Sequence, residues 1–457
     1  MKLEYVASGT SYMRLSNPSI QNDPRIIALV NNIFYEFFND QPGHTFSLLY
    51  NAFTEKDFGN RLSVFKESIH NLHADSGGLQ MVTLAHNLPK GQNMDTLREN
   101  VYANQAASAD VGMCFDEIPV ITTGWSDKND TSNRYFDRAN RHTYAKQTGE
   151  NLKRQIEVFK TTDSKCKPFM ICQGGDLETY VEWTKTILDT VPKENHKRIA
   201  GVAMGGAALG TGALEDIQKA FFASQVPVRD ATGKLHLHIL GVGSIRRMIP
   251  YLIFLQNGLY GDVQVSYDST THTRAVETGL YYMRGKIEKN GFHVDGPGKT
   301  LKYSRARGAE DVLHGTPREA YPDLKYDVMI ADINRFYNMD LTPEEFHETL
   351  NTPSIAYLDK HGSLLPWFLG RTTMCCASIK NFMDEVEILI NSKEKLLKMA
   401  SEKYPGLSAE QLFDVKDIES FNRWLGKWTP MYQAEKKSNR ISHIAPSEID
   451  TLEELFG

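Results

Sequence analysis

Between residues 45 and 285, short apolar runs alternate with amphipathic stretches, and this rhythm constrains the 457-residue chain more than any other feature. Strand-like runs fall at 45–50, 71–74, 111–115, 168–172, 199–204, 236–240 and 263–267. Helix-like segments at 60–69, 94–107, 177–188, 214–223 and 244–256 lie among them. Strand, crossover helix and strand, repeated, means a parallel sheet. At this length the sheet is either a closed eight-stranded barrel or an open doubly wound one. Directly after the strand runs come Asp75-Ser76-Gly77-Gly78, Asp116-Glu117, Gln173-Gly174-Gly175, Gly205-Gly206, Gly241-Val242-Gly243 and Asp268. Polar groups and glycines delivered by six strands to one rim fit a barrel with its site at the C-terminal face. An open sheet would gather them at a single switch point. The expected fold is therefore α/β, a (β/α)8 TIM barrel with an appended helical C-terminal subdomain. The barrel core is placed at 45–310, after an N-terminal extension at 1–44. A helix-rich region at 311–457, with helices at 378–400 and 409–424, completes and flanks it.

Composition narrows the setting. Apolar residues make up 41% and charged residues 24%, which suits a globular protein. No apolar run approaches the length needed to cross a bilayer, the stretch at 249–255 being far too short. The opening Met1-Lys2-Leu3-Glu4-Tyr5 lacks an apolar signal core, so a cytoplasmic location is expected. Cysteines at 114, 166, 172, 375 and 376 form no disulfide framework, which agrees with a reducing compartment. The net charge of -6 does not by itself suggest nucleic-acid binding. A nucleic-acid partner would need a local basic surface, because phosphate contacts supply most of the affinity. The stretch with Arg274, Arg284, Lys286, Lys289, Lys299, Lys302, Arg305 and Arg307 offers one, against Glu277, Glu288 and Asp295.

The carboxylates carry the strongest chemical signal. Asp75, Asp116 and Asp268 each follow an apolar strand-like run. One such Asp would ordinarily cap the next helix. Three on one rim, with glycine-rich turns between them, point instead to a site. Two carboxylates flanking a reactive carbon are the usual equipment for breaking a glycosidic bond, one as nucleophile and one as acid/base. Gly77-Gly78, Gly174-Gly175 and Gly205-Gly206 let backbone approach a flat ligand closely. The segment Gly201-Val202-Ala203-Met204-Gly205-Gly206 lacks G-x-G-x-x-G spacing, so a dinucleotide fingerprint is excluded.

Taken in order, these segments resemble the motifs of the tRNA-guanine transglycosylases. The matching residues are Asp75-Ser76-Gly77-Gly78-Leu79-Gln80, Phe115-Asp116-Glu117, Gln173-Gly174-Gly175, Met204-Gly205-Gly206, Gly241-Val242-Gly243 and Asp268 with Arg274. The likeness runs over residues 70–310 and includes Asp295-Gly296 and the basic strand after it. It implies a (β/α)8 barrel and exchange of a guanine base in a nucleic acid. By the resemblance, Asp268 is the nucleophile at C1′ and Asp75 the acid/base. Asp116 would accept from N1 and the amino group of the base, and Gln173 and the Gly206 N–H would donate to its O6. Leu79 and Leu240 would sandwich the ring, with Ser76, Gln80, Gly205 and Gly241 lining the pocket. Arg274, Lys299, Lys302, Arg305 and Arg307 would face phosphates.

Departures from the family pattern refine this expectation. The family's structural zinc site needs three cysteines and a distant histidine. An ungapped overlay places Glu345, His347 and Leu350 at the cysteine positions and Cys376 near the histidine, so no zinc and no other cofactor is expected. Glu277 stands where a second tRNA-reading arginine is common, and Thr211 where a glutamate favours an aminomethyl base. Losing tRNA equipment while keeping the carboxylates resembles the bacteriophage DNA-guanine transglycosylases, which place 7-deazaguanines in DNA and so evade restriction. The partners implied are DNA, a free 7-deazaguanine base (the 7-cyano form, since Thr211 offers an ammonium no carboxylate) and a second copy of the chain, with no membrane. A divergent tRNA enzyme is the alternative. A non-catalytic partner subunit would have no need of all three aspartates.

Overall fold

The computed structural model describes residues 3–403 and 420, apart from 42, 54–57, 79–92, 123–133, 206–212, 231, 257–262, 278–279, 284–285, 289–290, 294–298, 303–325 and 353. Eight parallel strands close into a barrel. In chain order they are β1 (Leu3–Ala7), β2 (His44–Asn51), β3 (Leu72–Asp75), β4 (Val111–Met113), β5 (Lys167–Cys172), β6 (Gly201–Met204), β7 (Leu235–Ile239) and β8 (Val263–Ser269). Each pairs with its chain neighbours, and β1 closes the ring by pairing with both β8 and β2. Helices α1 (Pro24–Phe38), α2 (Met94–Ser108), α3 (Arg141–Thr161), α4 (Leu177–Thr190), α5 (Ala213–Ser224) and α6 (Ile245–Gln256) cross between strands on the outside. This is the (β/α)8 barrel that the alternation of runs predicts.

The N-terminal segment corrects one expectation. Residues 1–44 are not an extension: Leu3–Ala7 is the first barrel strand, with Leu3 opposite Val265 and His44, and Ala7 opposite Ser269 and Leu48. A five-residue run interrupted by Glu4 does not read as buried strand. Glu4 is nevertheless buried, because its side chain points into the barrel and finds donors there. Tyr5, one residue on, faces outward, where its ring meets Tyr267 edge-on at 5.4 Å and Phe382 at 6.1 Å.

Phe382 belongs to α7 (Leu365–Ile390), a 26-residue helix. It starts well before the expected 378, and its buried face runs from Pro366 to Leu389. The Met383 carbonyl lies 3.3 Å from His44 Nδ1, and His44 Nε2 is 2.8 Å from the Tyr267 hydroxyl. The helix thus lies across the seam where β1 meets β8 and β2. The helix expected at 409–424 lies outside the described residues except for Ser420.

A strand that closes the barrel and packs under α7 should be expensive to truncate. Tyr5→Ala is expected to destabilise the protein by about 3–5 kcal/mol, the usual cost of emptying a buried aromatic site, in urea-unfolding measurements. A loss within about 0.5 kcal/mol, the value for an unpacked extension, would contradict the packing.

Candidate active site

The C-terminal ends of the strands bring the expected residues to one mouth. Asp268 lies in β8, opposite Val6, and is buried. Its carboxylate is clasped from both neighbouring strands. The Ser8 hydroxyl, just past β1, donates to Oδ2 at 2.5 Å. The Gly241 N–H, just past β7, donates to Oδ1 at 2.8 Å. Gly241 has φ 70°, a left-handed conformation that glycine adopts without strain, and this turns its N–H toward the carboxylate. From below, His238 Nε2 lies 3.4 Å from Oδ1, with its ring fully buried.

Asp75 ends β3, and the Ser76 N–H donates to its Oδ1 at 2.8 Å. Burial is the largest influence on this carboxyl, and the negative charge of Asp268 adds to it. The N–H groups of Ser76 and Gly77 pull the other way, leaving it raised to about 6. Asp116, three residues beyond β4, receives Gln173 Nε2 on Oδ2 at 2.8 Å and the Ser76 hydroxyl on Oδ1 at 3.4 Å. Burial again dominates; the bond from Gln173 opposes it, the charge of Asp75 adds, and the group is raised to about 7. Among the described residues no Lys or Arg forms an ion pair with Asp75, Asp116 or Asp268. The raised values of Asp75 and Asp116 follow from carboxylates crowded in low dielectric without a cation.

Two of the glycines are explained by these contacts. A Cβ on Gly78 would collide with the Asp116 carboxylate, and one on Gly205 with the Gln173 carboxamide. Glycine at both places keeps the Asp116–Gln173 pair in position. Leu240 is half-buried beside Gly241, its N–H bonded to the Met204 carbonyl at 3.2 Å. Arg274 is half-buried in the short helix Thr271–Glu277 after β8. Lys299 and Lys302 lie on a strand, Lys299–Lys302, paired antiparallel with Leu280–Met283 outside the barrel. Leu79, Gln80, Gly206, Thr211, Arg305 and Arg307 lie outside the described residues.

Sequence reasoning missed Ser8, Glu4, His73 and His238. Ser8 depends on recognising β1. The other three belong to a polar layer inside the barrel. There Glu4 Oε1 accepts from His73 Nε2 at 2.9 Å, from Asn71 Nδ2 at 2.9 Å and from the Ser47 hydroxyl. Burial alone would raise the Glu4 carboxyl, but its contact with His73 and these hydrogen bonds outweigh burial and hold it far below the usual range. Among the described residues no cluster of three or more His, Cys, Asp and Glu side chains could hold a metal ion. Glu345, one overlay position, bonds instead to the Thr342 backbone N–H that caps its own helix. No protein-family model matches the chain, and no curated protein matches it.

The proton on Asp116 gives a stability test. Folded, Asp116 holds its proton to about pH 7, whereas an unfolded aspartate loses it near 3.8. Between these values the unfolded chain binds fewer protons, so the stabilisation present below the lower value is lost as pH rises toward the upper one. Asp116→Asn has no such proton to lose. Relative to wild type, it should gain ~2–4 kcal/mol between about pH 4 and about pH 8, read from urea-unfolding free energies. A difference that stays flat across this window would show that Asp116 ionises normally.

Proposed function

We propose that the chain is a base-exchanging transglycosylase that replaces guanine in DNA with a 7-deazaguanine, the 7-cyano base, through a covalent intermediate on Asp268. The observation that carries this reading is the division of labour among three carboxylates at one barrel mouth, Asp116 and Asp268 buried and Asp75 half-buried. Asp268 is fixed by Ser8 and Gly241 as a positioned nucleophile. Asp75, raised to about 6, can give and take a proton near neutrality. Asp116 and Gln173 form an acceptor–donor pair that suits the edge of a guanine-like ring. The ordered motifs that resemble transglycosylases support the same assignment.

The reaction balances with these residues alone. A carboxylate oxygen of Asp268 attacks C1′ of the target nucleotide. The C1′–N9 bond breaks, its electron pair passes to the guanine, and the Asp75 proton neutralises the departing base. The incoming base then gives its ring N–H proton to Asp75 and attacks C1′ through that nitrogen. The C1′–oxygen bond breaks and its electrons return to Asp268. A pocket of paired donors and acceptors discriminates against adenine, because a wrong base leaves buried groups unpaired.

The choice of DNA rests on Glu277, Thr211 and the missing cysteine set. In a duplex the target nucleotide must leave the stack to reach the barrel mouth, which costs about a few kcal/mol. The basic residues after Asp268 would supply compensating phosphate contacts. Incubation with radiolabelled guanine and either duplex DNA or tRNA should label the DNA. Labelling of tRNA alone would overturn the polymer assignment in favour of a divergent tRNA enzyme. Asp268→Asn should abolish both exchange and the denaturant-resistant protein–DNA adduct, because a neutral amide is a poor nucleophile. Turnover above about a thousandth of wild type would exclude Asp268 as the nucleophile.

A further inference from the structure

We propose that His238 is a positioning residue for Asp268, held in one tautomer by Ser266 so that its Nε2–H faces Oδ1 and favours return of the carboxylate when the intermediate resolves. The inference rests on the covalent reading of Asp268. It begins with register: Glu4 lies opposite Ser266 on β8, and Ser266 opposite His238 on β7. These residues, with His73, form a polar layer directly beneath the mouth, where barrels ordinarily stack branched apolar side chains. Glu4 Oε1 and His73 Nε2 pair with each other within this layer. His238 makes a different pair of contacts: Nδ1 lies 2.8 Å from the Ser266 hydroxyl, and Nε2 lies 3.4 Å from Asp268 Oδ1.

An ionised carboxylate only accepts, so a ring nitrogen facing it without repulsion must carry the proton. In a neutral imidazole the other nitrogen is then an acceptor, and the Ser266 hydroxyl is the donor placed to fill it. The 3.4 Å contact is longer than a good hydrogen bond, and among the described residues Nε2 makes no other hydrogen bond. Contacts of this kind tighten when substrate binds.

The chemical consequence differs between the two half-reactions. Oδ1 carries the Gly241 N–H and faces His238, whereas Oδ2 holds only the exchangeable Ser8 hydroxyl and is the oxygen assigned to bond C1′. A donor on Oδ1 stabilises the free carboxylate more than the ester. It therefore slows attack slightly and speeds departure of the carboxylate when the incoming base displaces it. Removing the donor should make the covalent intermediate accumulate. A residue that merely filled space would instead slow both half-reactions together.

Two measurements test this. In rapid-quench experiments His238→Phe should slow resolution of the adduct by about 10–100-fold, the worth of one hydrogen bond to a charged group, while formation changes by less than about threefold. His238→Gln, which retains an amide donor near Nε2, should restore resolution. Equal slowing of both steps, or no rescue by glutamine, overturns the proposal. The second measurement needs no turnover: nitrogen-15 NMR of histidine-labelled protein, assigned by difference from His238→Gln, should show His238 protonated on Nε2 alone. It should also show that state disturbed in Ser266→Ala. A ring protonated on Nδ1, or on both nitrogens, overturns the tautomer assignment. If wild type forms no adduct with any polymer, the transglycosylase reading fails, and the NMR result still decides the orientation of His238.

Discussion

The pairing of Leu3–Ala7 with both β8 and β2 is the constraint on which the site depends. Without that strand the sheet has two open edges, and the carboxylate of Asp268 loses a neighbour. Ser8 reaches Oδ2 because β1 runs parallel to β8 with Val6 opposite Asp268. Gly241 reaches Oδ1 because β7 occupies the other side. Two donors arriving from opposite directions fix both oxygens. In the nucleophilic role proposed above, Asp268 would lose little freedom on reacting, since its geometry is set in advance.

Electrostatics then separates carboxylates that are chemically alike. Glu4 lies deepest and is held ionised by His73, Ser47 and Asn71, which overcome its burial. Asp75 and Asp116 are raised chiefly by burial, to which the charge of Asp268 adds at Asp75 and that of Asp75 adds at Asp116. Groups of one type, pushed in opposite directions within a single barrel, fit the acid–base roles proposed above better than uniform burial does. Arrangements that are purely structural look different in this chain. Glu117, adjacent to Asp116, is bonded to Arg98 at 2.5 Å and to Asn151 at 3.2 Å. That pairing ties α2 and α3 to the loop after β4 and leaves Glu117 occupied.

Much of this architecture was legible because burial outside a barrel is simple. Seven strands announced themselves as apolar runs, since one face of each packs against helices, and their polar ends marked the rim. The strand that was missed, β1, has the same design in a short form: Leu3 and Tyr5 flank Glu4, and Ala7 precedes the turn at Ser8. Its polar position reads as a break only when every inward residue is assumed to be apolar. The same alternation recurs as Phe46-Ser47-Leu48, Leu72-His73-Ala74, Leu237-His238-Ile239 and Val265-Ser266-Tyr267. Five strands therefore carry a polar residue between apolar ones, and the period of two assigns those residues to the interior. What no spacing could reveal is which polar residue meets which. That pairing is set by the stagger of a closed barrel, which brings Glu4 to His73 and His238 to Asp268 across gaps of 69 and 30 residues in sequence.

A polar interior layer costs stability, because every donor and acceptor in it must be matched or remain desolvated. Among the described residues His73 Nδ1 and His238 Nε2 are buried without a hydrogen-bond partner, so the matching there is incomplete. An apolar layer of the same volume would hold the barrel at least as well. Selection for folding alone therefore gives no reason to place a histidine beneath Asp268. Under the proposed covalent reaction the incomplete match has a reason at the site: a donor fully engaged elsewhere could not respond as Asp268 passed between carboxylate and ester. The glycines at 78 and 205 follow the same logic, giving up side-chain packing so that Asp116 and Gln173 can occupy the mouth. Where the chain departs from the choices that would best stabilise a barrel, the departures converge on one end of it, the end where the proposed chemistry would take place.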